Sequence, residues 1–77
     1  MPDHPAEWRR ALEMLAGSPE GLTDAALLAH GFAAKTIIGL VKSGLATSVT
    51  ERIWAGGRQV EVRWLWLTDA GRKTLGR

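Results

Sequence analysis

The sequence predicts an α+β fold: a three-helix cluster joined to a two-stranded β-hairpin and closed by a short C-terminal helix. Three observations carry that expectation. Apolar residues recur at helical spacing as far as Leu45, and beyond it apolar and polar residues alternate. Gly56-Gly57 separates the two alternating runs and fits the positive φ angles of a tight hairpin turn. Gly17, Gly31 and Gly44 each close a helical stretch.

The first helix is expected over residues 5–16. Pro5 suits a first helical position, and Glu7 puts an anion at the positive end of the helix dipole. Trp8, Ala11, Leu12 and Leu15 form one apolar stripe. The second helix is short, residues 24–30. Thr23 is its N-cap, Leu22 can staple onto Leu27, and Gly31-Phe32 has the pattern of a Schellman exit. The third helix starts at Ala33 or Ala34 and stops at Gly44. Ile37, Leu40 and Val41 share its inner face, with Leu45 just beyond; Lys35, Gly39 and Lys42 share the opposite face. Glycine at position 39 costs the helix about 1 kcal/mol relative to alanine, and its missing side chain permits close approach of another surface.

Residues 47–54 and 58–67 then read as two strands. With Gly56-Gly57 as a two-residue loop, Ile53 faces Val60, Val49 faces Trp64, Thr47 faces Trp66 and Thr50 faces Arg63, while Arg52 meets Glu61 as an ion pair. One face collects Val49, Ile53, Val60, Val62, Trp64 and Trp66. A hairpin needs other elements to cover its apolar face, so this face is expected to seal the helices. The other collects Ser48, Thr50, Arg52, Gln59, Glu61 and Arg63, with Trp54 as its apolar exception. Trp64-Leu65-Trp66-Leu67 is apolar throughout and calls for cover on both sides. Leu67-Thr68-Asp69-Ala70 repeats the capping chemistry of Leu22-Thr23-Asp24-Ala25 and opens a C-terminal helix over 69–75. Leu75 is expected to point inward, and Arg72, Lys73 and Arg77 lie at the negative end of the dipole.

The 77 residues form one expected domain, 1–77, of ordinary globular composition, 45% hydrophobic and 23% charged. A chain near this length buries only about 60–65% of its unfolded surface. There is no cysteine, so neither a disulfide nor a thiolate-bound metal supports it. Residues 1–34 carry two basic and five acidic side chains, whereas residues 35–77 carry eight basic and three acidic ones. The second half is thus a candidate footprint for a polyanion.

The ordered combination of elements resembles the winged helix-turn-helix domains of multiple-antibiotic-resistance-type regulators. The segment 23–44 looks like a helix-turn-helix, with Lys35-Thr36-Ile37 through Leu40-Val41 to Gly44-Leu45 similar to a recognition helix and its exit. The segment 46–67 corresponds to the wing. Leu67-Thr68-Asp69-Ala70-Gly71-Arg72 through Leu75 is similar to the family's exit from it. The resemblance implies DNA binding, with the third helix in the major groove and the wing against backbone or minor groove. The strands are longer and richer in tryptophan than is usual there, and at the wing tip only Arg58 stands where the family carries an Asp-Arg-Arg run.

The candidate DNA-binding residues are Lys35, Thr36, Gly39, Lys42 and Ser43 of the third helix with Arg58 and Arg63 of the wing. That set lacks the bidentate Arg, Asn or Gln on the helix that reads bases, so phosphate contacts are expected to dominate. The expected function is a small DNA-binding protein acting in transcription regulation, with double-stranded DNA as partner. The competing expectation is a protein-interaction or dimerisation module that uses the wing strand with Trp54 and Arg52. Enzymatic activity is not expected: His4 and His30 have no ligand or carboxylate companion at catalytic spacing, and His30 reads as the end of the second helix. Neither a cofactor, a metal nor a small-molecule substrate is expected. No apolar run approaches the roughly 20 residues that cross a bilayer, and Met1-Pro2-Asp3-His4-Pro5 lacks a secretory pattern. A cytoplasmic location is expected, nucleoid-associated if the chain binds DNA.

Overall fold

The computed structural model describes residues 6–76. His4, the start of the first helix at Pro5, and Arg77 lie outside them. Among the described residues the fold is α+β, with four helices and a three-stranded antiparallel sheet. The order is α1 (Ala6–Ala16), β1 (Leu22–Thr23), α2 (Asp24–Ala29), α3 (Ala34–Lys42), β2 (Ala46–Ala55), β3 (Arg58–Leu67) and α4 (Asp69–Thr74). In the sheet β3 lies between β1 and β2.

Each boundary has a local cause. The Thr23 hydroxyl accepts from the Ala26 N–H at 3.1 Å and the Thr68 hydroxyl from the Gly71 N–H at 3.1 Å, so the two Leu-Thr-Asp-Ala runs cap their helices in the same way. At the end of α2, Phe32 N–H donates to the Leu27 carbonyl and Gly31 N–H to that of Leu28. At the end of α3, Leu45 N–H donates to the Leu40 carbonyl and Gly44 N–H to that of Val41. Both are Schellman exits, with Gly31 at φ 95° and Gly44 at φ 80°. The accompanying apolar pairs, Leu27 with Phe32 and Leu40 with Leu45, are all buried.

The hairpin register is the expected one: Ile53 pairs with Val60, Val49 with Trp64 and Ala55 with Arg58 across the Gly56-Gly57 turn. One element was not anticipated. Leu22 and Thr23 form a short strand against Leu65 and Trp64, so Leu22 is a ladder residue of the sheet.

The core contains Ala11, Leu12 and Leu15 from α1, Leu27 and Phe32 around the turn, and Ile37, Leu40 and Leu45 from α3 and its exit. Leu65, Ala46 and Leu75 complete it, with Trp8, Leu22, Val41 and Leu67 packed around it. The expected sealing face is therefore corrected. Ala46, Ser48, Leu65 and Leu67 share the face of the ribbon that meets the helices; Leu65 is only 1% exposed. The face richest in valine and tryptophan looks away from them, with Val49 52%, Ile53 40% and Val60 39% exposed. Length explains why so little of the ribbon is covered. Each strand of ten residues spans about 33 Å, whereas the longest helix among the described residues, at 11 residues, spans about 16 Å. The helices can cover only the root of the ribbon. The root turns inward its leucines and its small residues, which let the helices approach. The remainder projects and draws the molecule out to 48 × 21 × 20 Å.

Two glycines mark close approaches. A Cβ on Gly71 would run into the Leu45 carbonyl oxygen and the Leu67 side chain, where α4 crosses the root of the ribbon. A Cβ on Gly39 would lie 2.7 Å from Cζ2 of Trp8. The surface that approaches Gly39 is thus α1, through the Trp8 indole. This gives a signed expectation. Gly39→Ala gains about 1 kcal/mol of helix propensity but overpacks against the indole, which typically costs about 1–3 kcal/mol. Urea denaturation should show Gly39→Ala destabilising in the native background and stabilising by about 1 kcal/mol in a Trp8→Ala background. The same sign in both backgrounds would refute the packing role of Trp8.

Candidate nucleic-acid interface

The third helix begins at Ala33, which has no side-chain cap of its own. Glu7, one helix away, supplies the acceptor: its Oε2 receives the Ala33 N–H at 3.0 Å and the Thr36 hydroxyl at 3.0 Å. These two hydrogen bonds hold the Glu7 carboxyl below its ordinary range, helped by the nearby positive charges of Arg10 and Lys35. Glu7 therefore acts on two helices at once, as an anion in the first turn of α1 and as the cap of α3.

This geometry revises the expected binding face of α3. Thr36 is 4% exposed and its hydroxyl is committed to Glu7. Gly39 lies under Trp8. The Ser43 hydroxyl donates to the Gly39 carbonyl at 2.6 Å, closing the helix end. The outward row is Lys35, Ile38 and Lys42, with Ile38 50% exposed. Ile38 sits at three- and four-residue spacing between the lysines, a pattern the sequence contained.

Lys42 and Arg63 do come together. They line one groove of about 200 Å³ between α3 and the ribbon, with Ile37, Ile38, Val41 and Ser48. The alternation that puts Arg63 on this side also puts Ser48, Thr50, Arg52 and Trp54 there. Arg52 is held by Glu61 at 3.5 Å, and Trp54 is 73% exposed farther out. Arg58 belongs to the opposite face, at the tip, five residues from Arg63 along β3 or about 17 Å. It does not join the groove.

A second groove, of about 400 Å³, lies on the outer side of the root. Glu20, Val49, Thr50, Glu51, Trp64 and Trp66 line it. Trp64 donates its indole N–H to Glu51 at 3.2 Å, and Trp66 packs over Gly21. This feature escaped the sequence reading because Glu20 joins it only through the β1 pairing.

Among the described residues no group of three or more His, Cys, Asp or Glu side chains gathers as a metal site, and no helix is long and apolar enough to cross a membrane. No known protein family matches the chain, and neither does a curated protein or a solved structure.

The Glu7 bridge has a pH signature. A carboxyl whose folded pKa is depressed contributes stability above its unfolded pKa, and that contribution is lost as pH falls through the folded value. Glu7→Gln should lower the melting temperature at neutral pH, and its deficit relative to the native chain should shrink below the carboxylate range. A deficit that stays constant from neutral to acidic pH would remove Glu7 from this role.

Proposed function

We propose that this chain is a small duplex-DNA-binding domain of the winged-helix type, which grips the phosphate backbone in the groove between α3 and the ribbon. The observation that carries the reading is the convergence of Lys42 and Arg63 on that groove from separate elements. Two cations facing one channel suit a phosphodiester backbone, which rewards each neutralised phosphate with counterion release. Lys35 extends the positive row along α3, and Ser48 adds a hydroxyl at the groove wall. Trp54 projects from the same ribbon face, where a sugar or an unstacked base can rest on it. The order of elements supports the same reading: α2, a glycine turn, α3, then a hairpin returning to α4.

Lysine and a single arginine hold backbone without distinguishing bases, so the binding is weakly sequence-dependent and steep in salt. Regulation of transcription is the role that fits such a domain. Arg58, Thr36, Gly39 and Ser43 are not assigned to the DNA surface, for the geometric reasons above.

Fluorescence anisotropy with a generic labelled duplex tests the proposal. Binding should weaken with salt, and Lys42→Ala and Arg63→Ala should each flatten the log–log salt slope by about 1, equally for unrelated sequences. Lys73→Ala on α4 should leave the slope unchanged. Absence of binding at low salt, or slopes insensitive to both groove substitutions, contradicts the reading.

A further inference from the structure

The outer face of the ribbon carries Val49, Glu51, Ile53, Arg58, Val60, Val62, Trp64 and Trp66 by strand alternation. It is a largely apolar surface on which Val49, Ile53 and Val60 are each at least 39% exposed and Val62 is half-buried. Such a surface, rimmed by charge, is a docking face. Its charges are polarised. Glu20 and Glu51 flank the tryptophan groove at the root, and Arg58 stands at the tip beside Gly56-Gly57. Glu51 is drawn toward the root by the Trp64 indole N–H.

We infer that this face docks on a second copy of the chain, ribbon over ribbon and antiparallel, with the tip of each copy seated in the tryptophan groove of the other. Polarity selects the occupant. A two-fold axis across the ribbon brings Arg58 of each copy to Glu20 and Glu51 of the other, making the same charge match twice in a self-complementary interface. Tip-on-tip packing would set Arg58 against Arg58. The Ile53–Val60 pair of one copy would then lie over the same pair of the other, with the Ala55–Arg58 end of each copy over the Glu51–Val62 pair of its partner. The groove of about 400 Å³ accommodates an extended side chain such as arginine, and the small residues Ala55, Gly56 and Gly57 leave the tip narrow enough to enter.

Area sets the strength. A face about 33 Å long and about 12 Å wide buries roughly 400 Å² per copy, about 800 Å² in total, below the size of a stable interface and in the range of weak, transient association. The dimer is therefore reversible and concentration-dependent. It does not rest on the DNA reading, whose residues lie on the α3 side of the ribbon.

Sedimentation velocity from about 5 to about 500 µM, where a micromolar equilibrium is visible, tests it. The expected result is a shift from the 8.4 kDa monomer toward twice that mass. Arg58→Glu and Val60→Glu should each weaken association about tenfold or more, with unchanged far-ultraviolet circular dichroism. Combining Arg58→Glu with Glu20→Arg and Glu51→Arg should restore it. A monomer throughout overturns the proposal. So does a dimer insensitive to both single variants, which would place the contact on the free edge of β2, and so does a charge swap that fails to rescue. Groove variants Lys42→Ala and Arg63→Ala should leave the mass unchanged, so failure of DNA binding and failure of dimerisation are read separately.

Discussion

The fold depends on a mismatch of lengths. Strands of about 33 Å meet helices of at most about 16 Å, so the hydrophobic core can be closed only at the ribbon root. There Leu65 sits between β1 and β2 and beneath the helices, and Ala46 allows them to come close. Gly71 extends the same closeness to α4, whose N-cap Thr68 also donates to the Gly44 carbonyl at 2.6 Å. One threonine thus ties the end of α3 to the start of α4, and the root of the ribbon is held on both sides.

Everything beyond the root is surface. An antiparallel ribbon has two faces, and here they differ in chemistry. The α3 side presents Lys42 and Arg63 around a groove and Trp54 farther out toward the tip, and Arg52 is neutralised locally by Glu61. The outer side presents valine, isoleucine and tryptophan with charge polarised along its length. On the proposed readings one face meets a polyanion and the other a second copy. A dimer formed through ribbons would carry two phosphate-gripping grooves, which raises effective concentration on a duplex even when each groove binds weakly.

Much of the architecture was legible in the chain because it is encoded locally. Glycine exits, threonine caps and the Gly56-Gly57 turn act within four or five residues, and the register follows from the loop length. The ribbon's inward face is not legible in the same way, because alternation tells which residues share a side but not which side meets the helices. β-Branched and aromatic content pointed to Val49, Ile53 and Val60, whereas the reach of the helices favours Leu65, Leu67 and small Ala46. The α3 surface is only partly legible for a similar reason. Gly39 did mark a close approach, but the partner came from α1, 31 residues earlier than Gly39, as Trp8. Glu7 and Glu20 likewise carry no local signal as site residues, since Thr36, which donates to Glu7, and Trp66, which lines the same groove as Glu20, lie far off in sequence.

The core is closed by Leu65 and not by the valine face. The most direct measurement is urea denaturation of Leu65→Ala beside Val60→Ala, at a few micromolar so that association does not contribute. The expected loss is about 2–5 kcal/mol for Leu65→Ala and about 0.5–1 kcal/mol at most for Val60→Ala. Equal losses, or a larger one at Val60, would contradict it.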